Sequence, residues 1–143
     1  MKISSVCTAL LVVGAASSGA VQAQTCPTGT TQVNNVSLIS GRTMCAARSG
    51  ERWQEWHGQG GRLWDYKLGP SSTTDPTEVV GSWTAVDGAN ALLTHTYGTT
   101  SYSFRVCRSG PPGSNTFTLV SNTAGTITGV TLTGVNSAPV PCP

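Results

Sequence analysis

The chain has 143 residues, 38% of them hydrophobic and 10% charged, with eight Lys or Arg against six Asp or Glu. A formal charge of +2 gives no reason to invoke nucleic acid or an anionic membrane as partner. The length suits one domain that buries roughly two-thirds of its unfolded surface.

Residues 1–23 read as a cleaved secretory signal. Met1-Lys2 supplies a positive start, an apolar run covers residues 6–14, and Val21-Gln22-Ala23 is a small-x-small cleavage site. The apolar run is well short of the roughly 20 residues that span a bilayer. Thr25 before Cys26 does not fit a lipoprotein site. Cleavage removes Cys7 and leaves Cys26, Cys45, Cys107 and Cys142, an even number in an exported chain and hence two disulfides. The favoured pairing is Cys26 with Cys45 and Cys107 with Cys142, each tying a tail to a nearby strand. The expected compartment is the periplasm or the extracellular space.

In residues 24–143, the expected single domain, strands follow one another with little room for helices. Residues 24–35 are Thr-, Pro- and Asn-rich, an extended tail ending at the sequon Asn35-Val36-Ser37. Residues 36–48 form a strand bent at Gly41, because an isolated strand glycine marks a bulge. Ser49-Gly50 turns the chain into residues 51–57, and Gly58-Gln59-Gly60-Gly61 turns it back into 62–68. A long loop covers 69–77. Residues 78–86 and 91–97 are joined at Asp87-Gly88, a tight-hairpin signal. In 101–108 Tyr102, Phe104 and Val106 fall on one face. Residues 116–120 and 125–132 complete the set, and no charged residue follows Arg108.

About eight short antiparallel strands, with no sustained 3.6-residue period, predict an all-β fold: an up-and-down barrel or barrel-like sandwich. Successive hairpins favour the closed barrel, which leaves no sheet edges. Gly81-Ser82-Trp83 is similar to the G-x-W of lipocalins and their relatives, which are small up-and-down barrels. In those families the motif lies in the first strand and here it lies midway, so no function is carried across.

Residues 51–67 hold three of the four tryptophans and one of the two histidines. With a four-residue loop at 58–61, His57 opposes Arg62, Glu55 opposes Trp64 and Trp53 opposes Tyr66, and opposed residues share a face. The expected binding face is therefore Trp53, Glu55, His57, Arg62, Trp64 and Tyr66. Flat apolar rings beside a carboxylate, an imidazole and a guanidinium suit stacking and orienting a small molecule or a sugar. They equally suit a protein interface, or a filled barrel interior in which Glu55 pairs with Arg62.

Catalysis has weaker support. Glu51 and Glu55 lie about 13 Å apart along a strand, beyond the carboxylate spacing of glycosidases. No G-x-S-x-G marks a nucleophile. A metal on Glu55 and His57 would need a third ligand that the local sequence does not offer, and there is no C-x2-C pair for zinc. His95, between Leu93 and Tyr97, is expected as a neutral imidazole among aromatics.

The resulting expectation is an exported binding module for a small molecule or glycan, without cofactor, metal or chemistry of its own. A protein-binding module comes second, an inhibitor of an extracellular hydrolase or a subunit of a surface assembly, because the uncharged strands after Arg108 could pair with another chain. A hydrolase comes third.

Overall fold

The computed structural model describes residues 24–48, 50–65 and 78–143. The expected signal segment, Tyr66 and the loop at 69–77 lie outside the described residues, and Glu51 is described through its backbone alone. Among the described residues there are nine strands: β1 (Thr30–Gln32), β2 (Thr43–Arg48), β3 (Glu51–His57), β4 (Arg62–Asp65), β5 (Glu78–Val86), β6 (Leu92–Tyr97), β7 (Thr100–Ser109), β8 (Thr116–Ser121) and β9 (Gly125–Leu132). From β2 to β9 each strand pairs antiparallel with the next, and β9 returns to β2 through Met44↔Leu132 and Cys45↔Thr131. The eight strands are a closed up-and-down barrel, with β1 as an extra strand against the second half of β7.

Alternation explains the closure. Inward positions carry Met44 and Ala46, Leu93, Phe104 and Val106, Leu119, Ile127 and Leu132, all buried. Outward positions carry hydroxyls that bond across strands, as in Thr94 with Ser103 at 2.9 Å and Thr96 with Ser101 at 2.8 Å. Because β8 lies between β7 and β9, and β9 between β8 and β2, the uncharged strands after Arg108 present no open edge to another chain.

Three local expectations are corrected. Residues 36–39 do not extend β2 but form a short 3-10 turn, Val36–Ile39, with Val36 and Ile39 buried across one end of the barrel. The loop after β5 is longer than a two-residue turn, since the last pair is Val86↔Leu92. Tertiary contacts take over both segments: the Asp87 carboxylate accepts from Ser37 N–H at 2.9 Å, and Gly88 N–H donates to the Asn34 carbonyl at 2.7 Å. Those contacts hold the 3-10 turn in place as a plug.

The disulfides are the third correction. All four cysteines pair, as Cys26–Cys107 and Cys45–Cys142, at sequence separations of 81 and 97. Each tail docks against the strand that the barrel brings to it rather than the nearest in sequence. Gln32 pairs with Cys107 in β1–β7, and Cys142 N–H donates to the Gln54 side chain at 2.5 Å. Two such bridges are compatible with an oxidising compartment. Among the described residues no helix is long and apolar enough to cross a membrane.

Candidate functional site

The hairpin of β3 and β4 closes one register away from the expected one. Glu55 opposes Asp65, Trp56 opposes Trp64 and His57 opposes Leu63. Gly60 and Gly61 both take positive φ, 72° and 75°, a backbone open to glycine, and Gly58 N–H closes on the Arg62 carbonyl at 2.8 Å. A one-residue shift exchanges faces. Leu63, fully buried, takes the interior in place of Arg62, which spares the barrel an internal guanidinium.

The expected binding face is thereby divided. Trp53, Glu55 and His57 point inward and share that face with Leu63 and Asp65. Arg62 and Trp64 point outward, where Trp64 meets Trp56 edge-on at 6.4 Å and, with Gln59, adjoins Ser137, Ala138 and Pro139 of the C-terminal tail. Glu55 therefore has no internal pairing with Arg62. Its partners come from β6 across the barrel.

Those partners form a buried polar chain. Tyr97 Oη–H donates to Glu55 Oε1, and Glu55 Oε2 lies 3.4 Å from His95 Nδ1. His95 Nε2 and His57 Nε2 are 2.9 Å apart, and His57 Nδ1 is 3.3 Å from the Arg42 carbonyl. Two imidazole nitrogens at hydrogen-bond distance need one proton between them. His57 places its Nδ1–H on Arg42, so its Nε2 accepts from His95. Trp83 covers His57 edge-on at 5.3 Å and donates its indole N–H to the Gly58 carbonyl at 3.0 Å.

Burial tunes these groups. Desolvation, aided by the positive charge on His95, lowers His57 to about 3 and keeps it neutral. Burial alone would raise the Glu55 carboxyl, but the hydrogen bond and charge of His95, with the Tyr97 hydrogen bond, outweigh it and lower the group. The Tyr97 phenol is pushed up by burial and by the adjacent Glu55 charge.

The two ends of the barrel differ. At the plugged end, behind Val36, Ile39, Phe117 and Val130, the residual void is about 10 Å³, no more than the ~10–15 Å³ that a single water needs. At the other end lies a cavity of about 270 Å³. Trp53, Tyr97, Tyr102 and Phe104 are its aromatic walls, Met44, Leu119 and Ile127 its aliphatic ones, and Glu55 and His95 the polar patch. Its rim carries Arg48, whose guanidinium donates to the Ala124 carbonyl in the β8–β9 turn. Side-chain exposure falls from 14% at Glu55 to 3% at His95 and to zero at His57, so of these three Glu55 is the most open to the cavity.

Comparison with known protein families, curated proteins and solved structures finds no match. The chemistry of the site must therefore be read from its own residues. It can hold a proton along His57, His95 and Glu55 and accept hydrogen bonds from a guest. No group of three or more His, Cys, Asp or Glu among the described residues is arranged to hold a metal ion.

The sequence reading did not single out Tyr97, Tyr102, Phe104 or Met44 as site residues, and it placed His95 among aromatics without a functional partner. Their inward alternation was legible, as in Leu93-x-His95-x-Tyr97. What joined them to Glu55 was barrel curvature, which leaves no mark in a local pattern.

Proposed function

We propose that the protein is an exported, periplasmic or extracellular binding module that holds a small molecule in the open end of its barrel. The observation that carries this reading is the contrast between the two ends: a barrel that leaves a void of only about 10 Å³ at one end keeps an aromatic-walled cavity of about 270 Å³ at the other. Eight-stranded barrels are just wide enough to enclose one small ligand. Ligand pockets run from roughly 300 Å³ upward, so the guest is compact. Mostly apolar walls favour a small molecule with one polar head over a glycan, whose many hydroxyls would be left without partners.

Trp53 lines the cavity, whereas Trp56 and Trp64 face outward and Trp83 packs against His57 away from the cavity lining. A ligand should therefore change Trp53 emission. Titration with small aromatic solutes is expected to give a saturable fluorescence change in the parent and in Trp64→Ala, and none in Trp53→Ala. A change that survives in Trp53→Ala and disappears in Trp64→Ala would put binding on the outer face and refute this reading.

A further inference from the structure

Glu55 shows the cavity acceptors and no donor. Oε1 accepts from Tyr97 and Oε2 stands beside His95 Nδ1. An ionised carboxylate has about four lone-pair sites, so capacity for a guest remains. The rings of Trp53, Tyr97, Tyr102 and Phe104 line the cavity that this carboxylate meets, and aromatic faces attract cations. The complementary guest is a compact cation bearing N–H donors.

His95 stands against the same carboxylate. His57 accepts the Nε2–H of His95, and His95 Nδ1 lies 3.4 Å from Glu55 Oε2. Tyr97 Oη also lies 3.4 Å from Nδ1 but gives its proton to Glu55, so without a proton on Nδ1 only lone pairs would face that nitrogen. An ammonium arriving at Glu55 would set two cations against one carboxylate in a desolvated space, an unfavourable arrangement. Loss of the His95 Nδ1 proton to solvent through the open end restores the charge balance and leaves that nitrogen free to accept from the guest.

We propose that the cavity takes a small aryl- or alkylammonium at Glu55 in exchange for the proton that His95 holds against the same carboxylate. This rests on the reading of the cavity as a ligand site. The groups that face the exchange are Glu55 and His57 from β3, Asp65 from β4, His95 and Tyr97 from β6, Tyr102 from β7 and Arg48 from β2. Arg48 is exposed at the rim and bonded to the Ala124 carbonyl. β8 and β9 contribute only apolar walls. No covalent bond is made or broken.

The test is calorimetric titration of the whole protein with phenethylamine and with phenethyl alcohol, which have nearly the same shape. Each is measured in buffers of different ionisation enthalpy between about pH 5 and about pH 8. The amine is expected to bind at least about tenfold tighter than the alcohol near neutral pH. It should release about one proton, and lose up to about tenfold in affinity per unit of pH on acidification. Glu55→Gln should abolish both the preference and the proton release. Proton release and pH slope are read on the parent protein, so the test does not depend on that variant folding. Equal binding of amine and alcohol, or amine binding without proton release, would overturn the exchange and leave the cavity reading standing. If neither compound binds, both fall.

Discussion

Acidification should weaken this fold well before ordinary carboxylates titrate, and the cause is His57. Desolvation and the charge on His95 lower it from 6.5 to about 3. The unfolded chain takes up a proton there as pH falls through its ordinary value, and the folded chain does not follow until about 3. The unfolded state thus binds more protons across that window. Stability is complete above 6.5 and is lost progressively below it, at about 1.4 kcal/mol per unit of pH. Between about pH 7 and about pH 5 the loss is about 2 kcal/mol. For a domain of this size that lowers Tm by about 6–10 °C. Glu55 acts with the same sign lower down, because its lowered carboxyl contributes stability that is present above its ordinary 4.5 and lost beneath it. The assay is a series of thermal melts with disulfides intact, for the parent and for His57→Gln. The parent should lose Tm across this range while the variant, whatever its starting stability, changes much less. A parent Tm that stays flat, or two parallel pH profiles, would refute the reasoning.

Other consequences follow from packing and from the bridges. Leu63→Ala removes a fully buried side chain beside His57 and should cost about 2–5 kcal/mol in urea unfolding; Arg62→Ala, on the outer face, should cost far less. Gly81 lies where the β4–β5 register shifts, and a Cβ there would meet the Thr96 carbonyl oxygen at 2.1 Å. Gly81→Ala should therefore cost about 1–3 kcal/mol, seen as a lower Tm. The bridges close loops of 81 and 97 residues, so removing either as a double Cys→Ser variant should cost about 2–5 kcal/mol. Non-reducing peptide mapping should recover Cys26 with Cys107 and Cys45 with Cys142, and any other pairing would contradict the docking of the two tails.

The eight barrel strands were legible because period-two alternation records which side of a sheet is buried, and their order and closure because successive hairpins favour an up-and-down barrel; β1, inside the expected tail, was not. Tyr102, Phe104 and Val106 announced their face without help from any other strand. The loop at 58–61 was different. Its three glycines permit more than one closure, and local chemistry does not decide between opposing His57 to Arg62 or to Leu63. Burial decides it: an apolar Leu63 inside and a guanidinium outside is the lower-energy choice, and two tryptophans on the outer face are tolerated because they cover each other. Residues 36–39 read as strand because Val, Leu and Ile suit one, yet a plug contact with Asp87 outweighs that preference. The pairing of His57 with His95 was beyond local reading, since these residues are 38 apart in sequence and sit on strands that are not neighbours. The disulfides were misjoined for a similar reason, as ring closure brings the chain ends to β7 and to β2.

The central claim is that the barrel is filled at one end and hollow at the other. Methyl NMR during titration with phenethyl alcohol tests it most directly. Shifts and probe contacts are expected at Ala124 and Ile127, which line the hollow end and not the plugged one, with Val36, Ile39 and Val130 unchanged. Probe contacts confined to Val36, Ile39 and Val130, or no contact with Ala124 or Ile127 at saturating probe, would contradict it.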